Sequence, residues 1–253
     1  MITLQIDNVS VTVPEGTTLL EAAQRIGIWI PTLCHHEALT PYGGCRLCIV
    51  EVQEGATTRI VSSCTYRAQN GVHVSTCSDT IVALRKGILT LLLAEVPQSP
   101  VLQELAELLG VEHSSTFAPR NDLCIACGRC IRACREIVGV QAIDFAFRGY
   151  KRVAASPFFE RSEDCIGCGT CVAVCPTGAI RLHDIPAGAR VELSDGRQVE
   201  GPVRVIENWK VSFPFKRCSK CGEPFAPQVQ LEYFTKQAHL PADFFDVCRE
   251  CRQ

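Results

Sequence analysis

Residues 2–6 and 9–13 alternate apolar and polar side chains, with Asp7-Asn8 between them. A period of two around such a dipeptide predicts a β-hairpin. Pro14-Glu15-Gly16 then turns the chain. Thr18 and Glu21 stand at capping-box spacing, and Leu19, Leu20, Ala23 and Ile26 form an apolar stripe, so a short helix follows. Residues 49–52 and 71–75 read as further strands of the same sheet. Asp79 caps a predicted helix running to about Glu95, with a stripe of Ile81, Leu84, Ile88, Leu91 and Leu92. Pro97 and Pro100 end it, and Val101 to Leu109 predicts another helical stretch stopped by Gly110. Residues 186–206 read as strands around the turn signal Ser194-Asp195-Gly196, and Pro214 opens a small tail.

The cysteines change this picture. The 253-residue chain has 17 of them, and all but Cys77 fall into four sets. The first is Cys34-x10-Cys45-x2-Cys48-x15-Cys64, and the second is Cys124-x2-Cys127-x2-Cys130-x3-Cys134. The third is Cys165-x2-Cys168-x2-Cys171-x3-Cys175-Pro176, and the fourth joins Cys218-x2-Cys221 to Cys248-x2-Cys251. Each set offers four soft thiolates, the ligands of iron–sulfur clusters or zinc. A disulfide-rich secreted protein is the competing class. The start, Met-Ile-Thr-Leu-Gln-Ile-Asp, has no basic stretch and no apolar signal core, which leads us to expect a cytoplasmic, reducing location. The longest apolar run, Ile88 to Val96, is interrupted by Thr90 and Glu95 and is too short for a bilayer. A formal charge of −2 argues against a nucleic-acid groove.

Each set implies its own chemistry. The glycine-rich segment Tyr42-Gly43-Gly44-Cys45-Arg46-Leu47-Cys48 lets backbone N–H groups approach sulfide, so a [2Fe–2S] centre on Cys34, Cys45, Cys48 and Cys64 fits. Zinc in the same loop, or a histidine ligand from His35 or His36, is the alternative. Runs two and three share one spacing, an internal repeat. In ferredoxins with such runs the fourth cysteine of each ligates the other cluster. One [4Fe–4S] centre therefore takes Cys124, Cys127, Cys130 and Cys175, and the other takes Cys165, Cys168, Cys171 and Cys134. Arg129, Arg132 and Arg135 sit in the first run, where the second has Thr170, Val172 and Val174. Positive charge favours a reduced cluster, so the centre of Cys124 is expected at the higher potential; a solvated arginine face is the competing reading. Cys218, Cys221, Cys248 and Cys251 form two knuckles that suit tetrahedral zinc, and the same geometry would hold a single iron or a third [4Fe–4S] cluster.

At Ile30-Pro31-Thr32-Leu33-Cys34-His35-His36 and Gly44-Cys45-Arg46-Leu47-Cys48-Ile49-Val50-Glu51-Val52 the chain resembles a known family. It is the N-terminal [2Fe–2S] domain of the large iron–sulfur subunit of NADH dehydrogenase, shared by the diaphorase small subunit of NAD-reducing hydrogenases. Ser63-Cys64 with Gly71-Val72-x-Val74, the stretch 137–150, and Cys175-Pro176-Thr177-Gly178-Ala179-Ile180 also match. The resemblance makes Cys64, not Cys77, the fourth ligand and leaves Cys77 a buried or spare thiol. It covers about residues 1–184. In that family a further cluster uses His-x3-Cys-x2-Cys-x5-Cys, but residues 94–105 here contain neither histidine nor cysteine. His113 lacks cysteine partners at that spacing. That cluster is expected to be absent, with a helical segment in its place.

The fold expected is α+β and multi-domain. A β-grasp [2Fe–2S] ferredoxin-like domain spans 1–78, a helical linker 79–118 and a bacterial-type 2[4Fe–4S] ferredoxin domain 119–184. A β-hairpin connector follows over 185–213, then a zinc-ribbon-like knuckle domain over 214–253. No nucleotide loop, hydrolytic triad or open metal site is present, so no catalytic residues are assigned. By resemblance, the chain relays electrons between a flavin subunit binding NAD(H) and a low-potential catalytic subunit: a hydrogenase, a formate dehydrogenase or a similar reductase, electron-bifurcating complexes included. A free-standing polyferredoxin is the alternative, and a non-redox zinc scaffold the third reading.

Overall fold

The computed structural model describes residues 1–112 and 123–252. His113 and its neighbours, which lead into the second cysteine run, lie outside the described residues. The chain divides into two compact units, Met1–Arg129 and Cys130–Gln253.

In the first unit, β1 (Ile2–Ile6) and β2 (Val9–Val13) form the expected antiparallel hairpin. Asp7 and Asn8 take φ +45° and +68°, the left-handed pair such a tight turn requires. Asp7 also accepts a hydrogen bond from Thr76 N at 2.7 Å, which ties the turn to the segment that follows the strand neighbouring β1. Helix α1 (Leu19–Arg25) starts with the capping box: Glu21 N donates to Thr18 Oγ1 at 3.2 Å, and Thr18 N donates to Glu21 Oε2 at 2.6 Å.

Strands β3 (Ile49–Glu54), β4 (Thr57–Ser62) and β5 (His73–Ser75) complete a five-stranded sheet in the order β2-β1-β5-β3-β4. Only β1 and β5 run parallel. Strand β4 has no clear apolar alternation, which is why the residue pattern does not reveal it: four of its six residues are exposed at a sheet edge. Leu4, Ile6, Val13, Leu19, Leu20, Val50 and Val74 build the core between sheet and α1.

Helix α2 (Asp79–Glu95) has the predicted length, but its cap is Ser78, whose Oγ accepts from Ile81 N at 3.3 Å. Its buried face is Ile81, Arg85, Leu89, Leu93 and Ala94, whereas Leu84 and Leu91 are exposed. The predicted stripe is therefore rotated away from the true one. An arginine at the second position of the buried ladder conceals it. Arg85 is 6 % exposed and donates to Leu47 O at 3.1 Å, Ile49 O at 2.7 Å and Thr76 O at 2.8 Å. Burial pulls its pKa down, with the charge of nearby Cys48 acting against that pull. Arg85→Met leaves three carbonyls without this donor, and urea unfolding of the full chain is expected to show a loss of about 3 kcal/mol.

Helix α3 (Pro100–Leu109) begins on proline and ends at Gly110, in the left-handed conformation at φ +61°. It packs on α2 through Leu102, Leu105 and Ala106. The same core takes in Leu33 and Leu47 from the first cysteine loop and Ile125 from the second run.

The second unit begins in α4 (Arg129–Arg132), which continues as a wider π-type turn over Ala133–Val138. Strands β6 (Asp144–Ala146) and β7 (Val153–Ala155) pair as a hairpin, and α5 (Thr170–Ala173) carries Cys171. Next comes an antiparallel four-stranded sheet ordered β13-β12-β11-β8, from β8 (Leu182–Ile185), β11 (Val203–Ile206), β12 (Val211–Arg217) and β13 (Pro224–Pro227). The expected hairpin around Ser194-Asp195-Gly196 is β9 (Arg190–Glu192) with β10 (Gln198–Glu200).

Strand β12 runs through Pro214 without a break, so the tail opens inside this sheet. Ile206, Trp209, Val211 and Phe213 of the sheet region share one core with Ile131, Ile143, Cys171 and Ile180 of the cysteine runs. Helix α6 (Gln228–Gln237) precedes the last two cysteines. Among the described residues, no helix is long and apolar enough to cross a membrane.

Candidate iron–sulfur and metal centres

The loop between α1 and β3 brings Cys34, Cys45 and Cys48 to the edge of the sheet, and the end of β4 returns Cys64 to them. Cys48 Sγ lies 3.3 Å from Cys64 Sγ, and Cys45 N donates to Cys34 Sγ at 3.4 Å. The Cys45 and Cys64 thiols both bond to the Cys34 sulfur, with further donation from the Cys45 and Gly44 backbone, and pull Cys34 down to about 2. Cys48 is held near 6, chiefly by the Cys64 thiol. Cys45 and Cys64 are pushed up because they keep the shared protons. Four sulfurs are thus gathered in one place, with two of them drawn toward the thiolate form by their neighbours' thiols, which suits iron.

The Tyr42 ring lies against Gly44: a Cβ there would meet it at 2.5 Å, so a side chain at position 44 would displace the ring. Cys77 is elsewhere. It is exposed, which removes the buried alternative and leaves the spare one, and it lines a surface pocket with Asp7, Glu51 and His73. His36 Nδ1 accepts from Ala38 N at 3.2 Å, and burial lowers the pKa of His35.

In the second unit Cys134, Cys165, Cys168 and Cys171 line one cavity. These are the four residues assigned from spacing to a single cluster, and Cys134 comes from the other run. Its remaining walls include Val138, Val140, Ile143, Ile166 and Ile206. Burial raises all three resolved thiols there, with Cys165 pushed up to about 11 and Cys171 to about 12. A bare thiolate is disfavoured in such a cavity, so negative charge must arrive together with a metal. Gly167 sits between Ile166 and Cys168 at φ +68°, and a Cβ there would meet the Phe213 ring at 2.5 Å. Arg204 donates to Gly167 O at 3.1 Å while paired with Asp184, so β8 and β11 hold this loop from outside.

For the remaining set, Cys124 and Cys127 belong to the first unit and Cys130 and Cys175 to the second. Each knuckle has local sulfur donors: Ala126 N reaches Cys124 Sγ at 3.4 Å, and Ala179 N reaches Cys175 Sγ at 3.3 Å. Arg129 donates to His35 O, Arg132 is 4 % exposed, and Arg135 pairs with Glu136 at 3.7 Å. Arg129 is therefore engaged and Arg132 buried, while Arg135 is half exposed beside its acidic partner.

Cys218, Cys221, Cys248 and Cys251 converge, all four Sγ atoms lying within 4.8 Å of one another. Cys248 N donates to Cys218 Sγ at 3.3 Å and is the main cause that brings Cys218 down to about 6. A closed set of four thiolates at this spacing offers a metal no open position.

Residue patterns alone did not mark Arg85, Trp209 or Phe213 as supports of these sites. A buried arginine and two aromatics carry no motif, and the i, i+4 spacing of Ile81, Leu89 and Leu93 around position 85 is the one sequence signal that could have found Arg85.

The sequence profile of a 2Fe-2S iron-sulfur cluster binding domain matches residues 1–79, and that of a 4Fe-4S dicluster domain matches residues 120–182. An NADH-quinone oxidoreductase subunit of Rhizobium meliloti is 33% identical over 206 residues, covering 71% of this chain and 24% of the relative. The alpha subunit of the NADPH-Fe(3+) oxidoreductase of Geobacter sulfurreducens is 33% identical over 173 residues, covering 59% of this chain and 20% of that protein. The chain thus spans about a quarter or less of the length of these two relatives. In the crystal structure of an NAD+-reducing [NiFe]-hydrogenase in its H2-reduced state, one chain superposes with a TM-score of 0.60 at 31% identity, covering 70% of this chain and 86% of that one. The chain belongs to the family of iron–sulfur electron-transfer subunits that includes this NADH-quinone oxidoreductase subunit and the NAD-reducing hydrogenase.

Proposed function

We propose that this chain is the relay subunit of a multi-subunit oxidoreductase, carrying one [2Fe–2S] and two [4Fe–4S] clusters between an NAD(H)-binding flavin subunit and a low-potential catalytic subunit. A hydrogenase, a formate dehydrogenase or a similar reductase, including an electron-bifurcating one, fits the second partner. The [2Fe–2S] ligands are Cys34, Cys45, Cys48 and Cys64. Cys124, Cys127, Cys130 and Cys175 hold the first [4Fe–4S] cluster, and Cys165, Cys168, Cys171 and Cys134 the second. Cys218, Cys221, Cys248 and Cys251 hold a structural zinc.

The observation that carries this reading is the cavity in which Cys134 joins the three leading cysteines of the other run. That crossing is what a two-cluster ferredoxin requires. Bound clusters supply one-electron redox chemistry; the chain holds them, excludes water and aims N–H groups at their sulfurs. In the sequence, the helical pair α2–α3 replaces the family's histidine–cysteine motif, and it packs the first cysteine loop and Ile125 into one core. Without that motif, electrons would pass directly between the remaining domains or through a partner subunit.

Anaerobic purification followed by metal, sulfide and EPR analysis tests the relay. The expected content is about ten irons and ten sulfides per chain, with a reduced [2Fe–2S] signal and two reduced [4Fe–4S] signals. Co-expression with a flavin subunit should give one complex in fixed ratio. A loaded protein that never retains a partner would instead be a free electron carrier, and a colourless, iron-free protein would defeat both readings.

A further inference from the structure

The sheet that follows the cysteine runs sends one polar group into the cavity lined by Cys134, Cys165, Cys168 and Cys171. Trp209 is 3 % exposed and forms part of that cavity's wall. Its Nε1–H donates to Cys171 Sγ at 3.4 Å. An indole N–H is a donor only, and when buried it needs an acceptor. The acceptor it has found is a cluster ligand.

The turn carrying it is fixed independently of any cluster. Trp209 ends the helical turn Glu207–Trp209 between β11 and β12. Glu207 accepts from Arg181 Nε at 3.1 Å and pairs with His183 Nε2 at 2.5 Å. Asn208 Nδ2 donates to Ala179 O at 3.0 Å, and its Oδ1 accepts from Arg181 N at 2.8 Å. The turn is thereby pinned to the segment just after Cys175, so the donor is aimed before iron arrives.

We propose that Trp209, which lies beyond both matched domains, raises the reduction potential of the second [4Fe–4S] cluster through its hydrogen bond to Cys171. The proposal rests on that cluster being held by Cys134, Cys165, Cys168 and Cys171. On reduction the cluster accepts one electron from its donor and passes from [4Fe–4S]2+ to [4Fe–4S]1+. No covalent bond forms or breaks, and the indole proton stays on nitrogen. Added negative charge spreads onto the ligating sulfurs, so an N–H aimed at one of them is worth more in the reduced state. Aliphatic walls leave that dipole weakly screened.

The test is potentiometric titration followed by EPR on the full chain with its clusters loaded. Phenylalanine keeps the apolar wall and removes the N–H, so W209F should lower the reduction equilibrium constant of the second cluster about tenfold, a fall of about 59 mV for one electron. The other two centres should hold their potentials. A second arm needs no change of shape. Trp29 and Trp209 are the only tryptophans, and Trp29 is 59 % exposed. In a W29F background, 5-fluorotryptophan at position 209 makes the N–H a stronger donor and should move the second cluster's potential upward. If W209F cannot be loaded, the fluorinated arm decides. An unmoved second potential in the arms that load, with all clusters counted, overturns the role of Trp209. A second cluster missing from the unaltered protein overturns the proposed function instead.

Discussion

Cys64→Ser should abolish the reduced [2Fe–2S] EPR signal and remove about two irons per chain, while Cys77→Ser leaves both intact. Cys64 is fully buried, and its sulfur lies 3.3 Å from Cys48 Sγ. The residue before it is held from two sides: Ser63 N donates to Cys48 O at 3.0 Å, and Leu20 N donates to Ser63 O at 3.0 Å. Helix α1 and the end of β4 thus deliver the fourth sulfur without needing the cluster to pull it in. Cys77 is exposed and faces a different pocket, so it has no route to the same irons. Serine at position 64 offers a harder, less acidic oxygen that does not match the preference of these irons for thiolate. Iron analysis with EPR on both variants decides the matter, and a signal lost from Cys77→Ser but kept in Cys64→Ser would overturn the ligand assignment.

The second large effect is expected at the other end of the chain. From residue 218 onward, the buried residues described are Cys218, Pro227, Leu231 and Cys248. That is far too little apolar surface to order a segment of this length unaided, so a bound metal must supply much of its folding energy. Removing the metal with a strong chelator, or making Cys248→Ser, should open residues 218–252 to protease while the cluster spectra of the runs upstream persist. Elemental analysis should find one zinc per chain, lost in the variant; iron at this site would defeat the zinc assignment.

Acidity should act in the same direction. Cys251 is pushed up to about 12, mainly by the neighbouring Cys248 thiol, so it enters the site as a thiol and must lose its proton on binding. Metal affinity therefore rises with pH and falls on acidification, and a competition titration at several pH values would show the slope.

Much of the first unit was legible before any coordinates. The Asp7-Asn8 turn and the Thr18/Glu21 box are local signals, and local signals survive into the fold. Helix α2 was placed but turned the wrong way, because its buried ladder includes Arg85, which ranks as polar by any hydropathy scale and is satisfied by three carbonyls contributed from distant segments. Edge strand β4 was missed because it shows its exposed face to solvent and has little pattern to read. At the candidate sites the cysteine spacing and the family resemblance named the candidate sulfurs, yet said nothing of what stands behind them. Phe213 under Gly167 and Trp209 beside Cys171 come from a sheet well downstream of the cysteines they touch. No local periodicity encodes such a pairing, since it is created by strands that meet only once the chain has folded.

The shared core of α2 and α3 has a consequence for how the cysteine loops become ordered. Leu33, Leu47 and Cys45 pack in the same apolar cluster as Ile125, Leu123 and Cys127. The segment that opens the second cysteine run thus takes its seat on the loop that closes the first. Ordering of the first cysteine loop therefore favours ordering of residues 123–127, and hydrogen exchange on Leu33→Ala should show protection lost from both segments.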